Sequence, residues 1–141
     1  MTIAEAIQKA AETLSARNVP DARLDAELLL RHALGKDRAW LLVHMQDRLG
    51  TEVQRSFEQS IERRKLREPL QYIIGTQEFW GLPFRVTPDV LIPRPETEFV
   101  VEAALTAVNE YDMPVIVDLC TGSGCIAISL AKELPKARIF A

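Results

Sequence analysis

The chain has 141 residues, 48% of them apolar and 26% charged, with 8 Pro and 6 Gly. That is the make-up of a folded protein of one ordinary domain or two small ones, and it excludes a disordered tail, a collagen-like repeat and a disulfide scaffold. Lys and Arg number 17 against 20 Asp and Glu, a formal net charge of −3, which argues against wholesale binding to a nucleic-acid backbone.

The N-terminal stretch carries Glu5 and Glu12 and is not a signal peptide. No apolar run is long enough to cross a bilayer. Thr2 and Glu5 have capping-box spacing, and Ile3, Ala6, Ile7, Ala10 and Leu14 mark one buried stripe of a first helix. Val19-Pro20 breaks it. Asp21 is placed to cap a second helix with Leu24, Leu28 and Leu29, ending before Gly35. Asp37 is placed to cap a short third helix through Trp40, Leu41 and Leu42. Thr51 and Gln54 predict another capping box, ahead of Val53, Phe57 and Ile61, with Pro69 as the stop. These four helices predict a small bundle. Its one concentrated basic run, Arg63-Arg64-Lys65 with Arg67, reads either as a solvated helix face or as a contact for an acidic or RNA-bearing partner.

The texture changes after Glu68. Residues 1–75 hold 12 basic and 11 acidic side chains, residues 76–141 hold 5 and 9, so the second part is acidic. The pattern predicts a helical domain over 1–68, a linker with a β-hairpin over 69–94, and the start of an α/β sheet over 95–141. The hairpin is expected to turn around Gly81-Leu82-Pro83, flanked by Phe79, Trp80, Phe84 and Val86. In Arg94-Pro95-Glu96-Thr97-Glu98, prolines on both sides hold Arg94 in an extended, fixed direction. Glu96 and Glu98 favour the start of a helix whose expected buried face is Val100, Val101, Ala104, Leu105 and Val108.

Val115-Ile116-Val117 reads as a buried parallel strand. It leads through Asp118-Leu119-Cys120-Thr121-Gly122-Ser123-Gly124 into a helix, and then into a second strand from Ala137. Strand, glycine loop, helix, strand is the first unit of a nucleotide-binding sheet. The glycines let the backbone turn and a ligand approach, and the helix start offers unpaired N–H groups. Two ligands fit. Gly-Ser-Gly-Cys-Ile-Ala from Gly122 matches the dinucleotide pattern. Asp-x-Cys-x-Gly-x-Gly from Asp118 is close to the loop of S-adenosylmethionine-dependent methyltransferases. A carboxylate at the strand end suits a cationic ligand better than a pyrophosphate. A strand–turn–helix that binds nothing is the third possibility. Cys120 and Cys125 are expected to be reduced thiols in a cytoplasm; they lack zinc-pair spacing, His32 and His44 are isolated, and no metal is expected.

The segments REPLQYIIGTQEFWGLPFRVTPDVLIPRPETE and VDLCTGSGCIAISLA closely resemble the HemK/PrmC family of glutamine methyltransferases. The resemblance runs from about Pro69 to the last residue. It implies a Rossmann-like methyltransferase sheet, S-adenosylmethionine held by Asp118, Cys120, Thr121, Gly122, Ser123 and Gly124 with Arg94 nearby, and methylation of the glutamine in the Gly-Gly-Gln motif of peptide chain release factors. The Arg-Pro-Glu-Thr-Glu segment points to these rather than to the related ribosomal-protein enzymes. The helical part is expected to recognise the substrate; no direct nucleic-acid or membrane contact is implied. Where the family more often has Gly, this chain has Cys120, which implies a backbone conformation open to ordinary residues. The family's ribose-binding acid and its Asn-Pro-Pro-Tyr motif are expected past Ala141, so the chain reads as a front portion, inactive alone. The alternatives are a ribosomal-protein glutamine methyltransferase, a nicotinamide-dependent oxidoreductase, or a helical interaction module with a fragmentary nucleotide fold attached.

Overall fold

A computed structural model describes every residue from Met1 to Ala141. The backbone divides into two compact units, Met1–Ile74 and Gly75–Ala141.

The first unit is all helix: α1 (Ile3–Ser15), α2 (Ala22–Leu34), α3 (Arg38–Val43), α4 (Thr51–Lys65) and α5 (Leu70–Ile74). The capping box of α1 forms. Thr2 Oγ1 accepts the Glu5 N–H at 3.2 Å, and the Glu5 carboxylate accepts the Thr2 N–H at 2.8 Å. The stripe Ile3, Ala6, Ile7, Ala10 and Leu14 is buried throughout. Asp37 caps α3 by accepting the Trp40 N–H at 2.8 Å. Two expected caps do not form, because a capping side chain needs an extended backbone beneath it. Asp21 is left-handed at φ +52. Thr51 lies inside the first turn of α4, Gly50 occupies the cap, and the Gln54 side chain donates to Glu58 instead.

On α2 the buried positions are Ala22, Asp25, Ala26, Leu29 and Leu30, while Leu24 faces outward. The charged member of that stripe has a partner from α4: Arg64 Nε lies 2.7 Å from Asp25 Oδ2, with both side chains largely buried. Arg64 also donates to the Glu68 carbonyl at 2.9 Å. Leu41, Phe57, Ile61 and Ile73 complete the core. The fifth helix was not expected. Pro69 does stop α4, but its carbonyl accepts the N–H groups of Tyr72 and Ile73 and so starts α5. Residues 70–74 thus belong to the helical unit rather than to a linker.

The second unit mixes helix and strand. β1 (Thr76–Phe79) and β2 (Leu82–Arg85) form an antiparallel hairpin; a single 3₁₀ turn (Pro95–Thr97) leads into α6 (Glu98–Ala107), then β3 (Val115–Val117), α7 (Cys125–Glu133) and β4 (Arg138–Phe140). β3 and β4 pair in parallel, Val115 opposite Arg138, Ile116 opposite Ile139 and Val117 opposite Phe140. The hairpin turn is Trp80–Gly81, one residue earlier than expected, and Leu82 and Pro83 lie in β2. Phe79 and Phe84 form one core with Val101, Cys125 and Leu130, so the hairpin is part of this unit and not a spacer.

β3 is not buried on both faces. Side chains alternate along a strand. Ile116 and Ile139 join that core, while Val115, Val117 and Phe140 on the other face are more than half exposed. Val100 of α6 likewise points outward, and Val101 takes the fully buried position.

Candidate functional site

The candidate site is the turn between β3 and α7. Asp118 follows the strand and extends its ladder, donating its N–H to Phe140 O at 2.7 Å. Its Oδ2 accepts the Thr121 hydroxyl at 2.8 Å. One acid–hydroxyl bond thus pins the carboxylate across the loop it opens. Thr121 O in turn accepts the Gly124 N–H at 2.9 Å, and Gly124 O accepts the Ile128 N–H at 2.9 Å, so the loop closes directly into the first turn of α7. The nine residues of α7 begin at Cys125, and their leading N–H groups form the electropositive end of the helix beside the loop.

Three left-handed residues alternate through the turn: Cys120 at φ +64, Gly122 at φ +59 and Gly124 at φ +78. A Cβ on Gly124 would lie 3.2 Å from Ile128 Cδ1, whereas one on Gly122 would meet nothing closer than Cys120 O at 4.0 Å. Gly124 is therefore required by its left-handed backbone, and a Cβ there would also crowd the tip of the half-exposed Ile128 side chain. Gly122 leaves open space over the loop. Cys120 corrects the expectation of an ordinary backbone there, since an L side chain in this region costs roughly 1–2 kcal/mol. Its thiol is exposed, and that of Cys125 is buried.

The expected site residues thus fall into one hydrogen-bonded turn, Asp118 with Cys120, Thr121, Gly122, Ser123 and Gly124, and one residue not bonded to it. Arg94 is exposed and extended at φ −95, ψ 141, at the head of the 3₁₀ turn, and makes no side-chain hydrogen bond or ion pair. Sequence spacing gave no sign of two further carboxylates. Glu98 accepts the Trp80 backbone N–H at 2.8 Å, and Glu133 accepts the Trp80 indole N–H at 3.0 Å. Those bonds span 18 and 53 residues, beyond any local pattern.

The basic run of the helical unit is engaged within the molecule. Arg63 donates to Glu68 at 2.8 Å, Arg64 is buried on Asp25, Lys65 pairs with Glu62, and Arg67 donates to Arg17 O at 3.0 Å. The hydrogen bond from Arg63 holds the Glu68 carboxyl below its usual range, although burial opposes this. His44 stacks on Trp40 with ring centroids 3.9 Å apart. No group of three or more His, Cys, Asp or Glu is placed to hold a metal ion, and no helix is long and apolar enough to cross a membrane. Between α1 and α4 runs a recess of about 800 Å³, with buried Ala6, Ala10, Phe57 and Ile61 beneath and exposed Lys9 and Arg55 beside it.

A helical unit followed by a parallel strand–glycine loop–helix–strand unit defines a two-part α/β protein with its candidate ligand loop in the second part. A family model described as the PrmC N-terminal domain matches residues 5–75, and the chain belongs to the PrmC family. It is 45% identical over 141 residues to a release factor glutamine methyltransferase of Koribacter versatilis, covering all of this chain and 50% of that protein. The same figures hold for the protein of that name from Moorella thermoacetica. One from Geobacter sulfurreducens is 48% identical over 126 residues, covering 89% of this chain and 44% of its own. The chain spans about half the length of the curated relatives it matches.

Proposed function

We propose that this chain is the substrate-recognition and cofactor-loop portion of an S-adenosylmethionine-dependent methyltransferase that modifies the glutamine amide in the Gly-Gly-Gln motif of peptide chain release factors, in the cytoplasm. The observation that carries this is the Asp118–Thr121–Gly124 turn between a parallel strand and a helix start, in a chain of the PrmC family. On this reading β3 and β4 open a Rossmann-like sheet. The pinned Asp118 carboxylate receives a cationic group, the exposed backbone at Gly122 gives a close approach, and the first N–H groups of α7 complete a polar cradle. S-adenosylmethionine, when bound, supplies an electrophilic methyl group on a sulfonium. The chain's part is to hold that cation, and Cys120 takes no covalent role.

The turn fits a cation better than a dinucleotide. A pyrophosphate at the same place would meet the Asp118 charge, and like charges at short range are costly. The helical unit is proposed to dock the release factor, and the internal engagement of Arg63, Arg64, Lys65 and Arg67 moves that contact off the basic run. The test is calorimetry on this chain fused to the second half of the Moorella thermoacetica relative. The expected result is binding of S-adenosylmethionine, no heat with NAD, and loss of binding in Gly122→Val, whose branched side chain fills the open space and strains a left-handed backbone. Binding of NAD with no S-adenosylmethionine heat would transfer the site to the oxidoreductase class.

A further inference from the structure

The turn of the β1–β2 hairpin places Trp80 and Gly81 at φ +54 and φ +64, the two-residue mirror-image turn that matches strand twist. Asn or Asp followed by Gly is the ordinary choice there. A bulky aromatic residue in the left-handed region is an outlier and persists only where its surroundings hold it. Here two carboxylates do so from two different helices. Glu98, the first residue of α6, accepts the Trp80 backbone N–H, and Glu133, the last residue of α7, accepts the indole N–H. The ladder of the hairpin leaves that backbone N–H unpaired, so Glu98 is its partner.

Glu98 is also the last residue of Arg94-Pro95-Glu96-Thr97-Glu98. Its bond to Trp80 closes residues 81–97 into a loop whose two ends are tied together. Val86 ties it to Gly75 O at 3.0 Å; within it Thr87 and Asp89 bond each other, Pro93 is buried, and the Thr97 N–H donates to Arg94 O at 3.0 Å. Arg94 is one of the exposed charges carried on this closed loop, with Arg85, Asp89 and Glu96, and its side chain has no hydrogen-bond or ion-pair partner.

We infer that Glu98 is a positioning residue: by latching the strained Trp80 turn to the start of α6, it fixes the 87–97 segment and hence the direction of Arg94. This assigns the last acid of the motif a task other than favouring a helix start, which the unpartnered, exposed Glu96 is equally placed to do. It deepens the reading of Arg94 as part of the cofactor region. Its test needs no cofactor, so it stands or falls separately from that reading.

The test is amide hydrogen exchange on the free chain, with Trp80 fluorescence read in a Trp40→Phe background. In Glu98→Ala, exchange across 80–82 and 87–97 is expected to rise about tenfold or more, the size of one lost charge-assisted hydrogen bond, with a shifted Trp80 emission and unchanged α7 amides. Glu98→Gln keeps an acceptor oxygen and is expected to restore protection to within about threefold of the parent. Glu96→Ala is expected to change nothing. Parent-like protection in Glu98→Ala would overturn the latch. An equal rise over all of residues 75–141, or Glu98→Gln behaving like Glu98→Ala, would reduce Glu98 to a general stability residue and overturn the positioning role.

Discussion

The two units of this chain bury their apolar residues to very different extents. In Met1–Ile74 five helices enclose one core, and even the charged Asp25 on its inner stripe is matched by Arg64. In Gly75–Ala141 the two-stranded parallel sheet is covered on the Ile116 and Ile139 side only. Val115, Val117, Leu119 and Phe140 are exposed, and with them Phe99, Val100, Tyr111 and Met113. Parallel sheets are ordinarily covered on both faces. A helical unit satisfies its backbone within each helix and needs only neighbours for its stripes. A parallel strand needs partners along both edges and above both faces. Local elements thus give a closed unit, and elements that depend on long-range partners give an open one.

The two tryptophans, Trp40 and Trp80, fall one in each unit, so single-tryptophan variants let denaturation of each unit be read alone. The sharpest test of closure is Asp25→Ala, which strands the largely buried Arg64 charge. We expect the helical unit to lose about 3–5 kcal/mol by Trp40 fluorescence, with the Trp80 transition unmoved. A cost below about 1 kcal/mol would mean that the pair is hydrated like a surface pair.

Next in size is a pair of substitutions, one in the closed core and one on the open sheet face. Leu30→Ala in the closed core is expected to cost roughly 2–5 kcal/mol, while Val117→Thr on the open sheet face is expected to stay within about 0.5 kcal/mol. Comparable losses would show that the outer face of β3 is covered after all. Smaller, and opposite in sign, is Cys120→Gly. Glycine takes φ +64 without steric cost, so the second unit is expected to gain about 1 kcal/mol by urea denaturation of Trp80 fluorescence. A loss would mean that the thiol side chain contributes more than the strain removes.

The smallest effect is the exposed Arg63–Glu68 pair. The Glu68 carboxyl is depressed in the folded state, so the pair's contribution is present above the ordinary glutamate range near pH 4.5 and fades as pH falls through the lower folded value. The difference in helical-unit stability between the parent and Glu68→Gln is expected to shrink below about pH 4.5. A difference that grows on acidification would reverse the sign.

How far the sequence could be read follows the same division. The α1 stripe and its capping box, the Asp37 cap and the β3–loop–α7 order were legible because each is set within a few residues. Asp21 and Thr51 misled because a capping side chain works only above the right backbone dihedrals, which composition does not encode. Cys120 misled for the same reason: its left-handed φ comes from the turn that Asp118 and Thr121 close. Glu98, Glu133 and the Asp25–Arg64 pair were invisible because their partners lie between 18 and 53 residues away. Val117 was taken as buried because an apolar β-branched run looks the same whether one face of its sheet is covered or both.

The account rests most directly on methyl transfer. This chain fused to the second half of the Moorella thermoacetica relative, given S-adenosylmethionine labelled in its methyl group, is expected to place label on the glutamine of the Gly-Gly-Gln motif of a release factor. Gly122→Val in the same fusion is expected to place none. Label on a ribosomal protein instead, or transfer that survives Gly122→Val unchanged, would contradict the account.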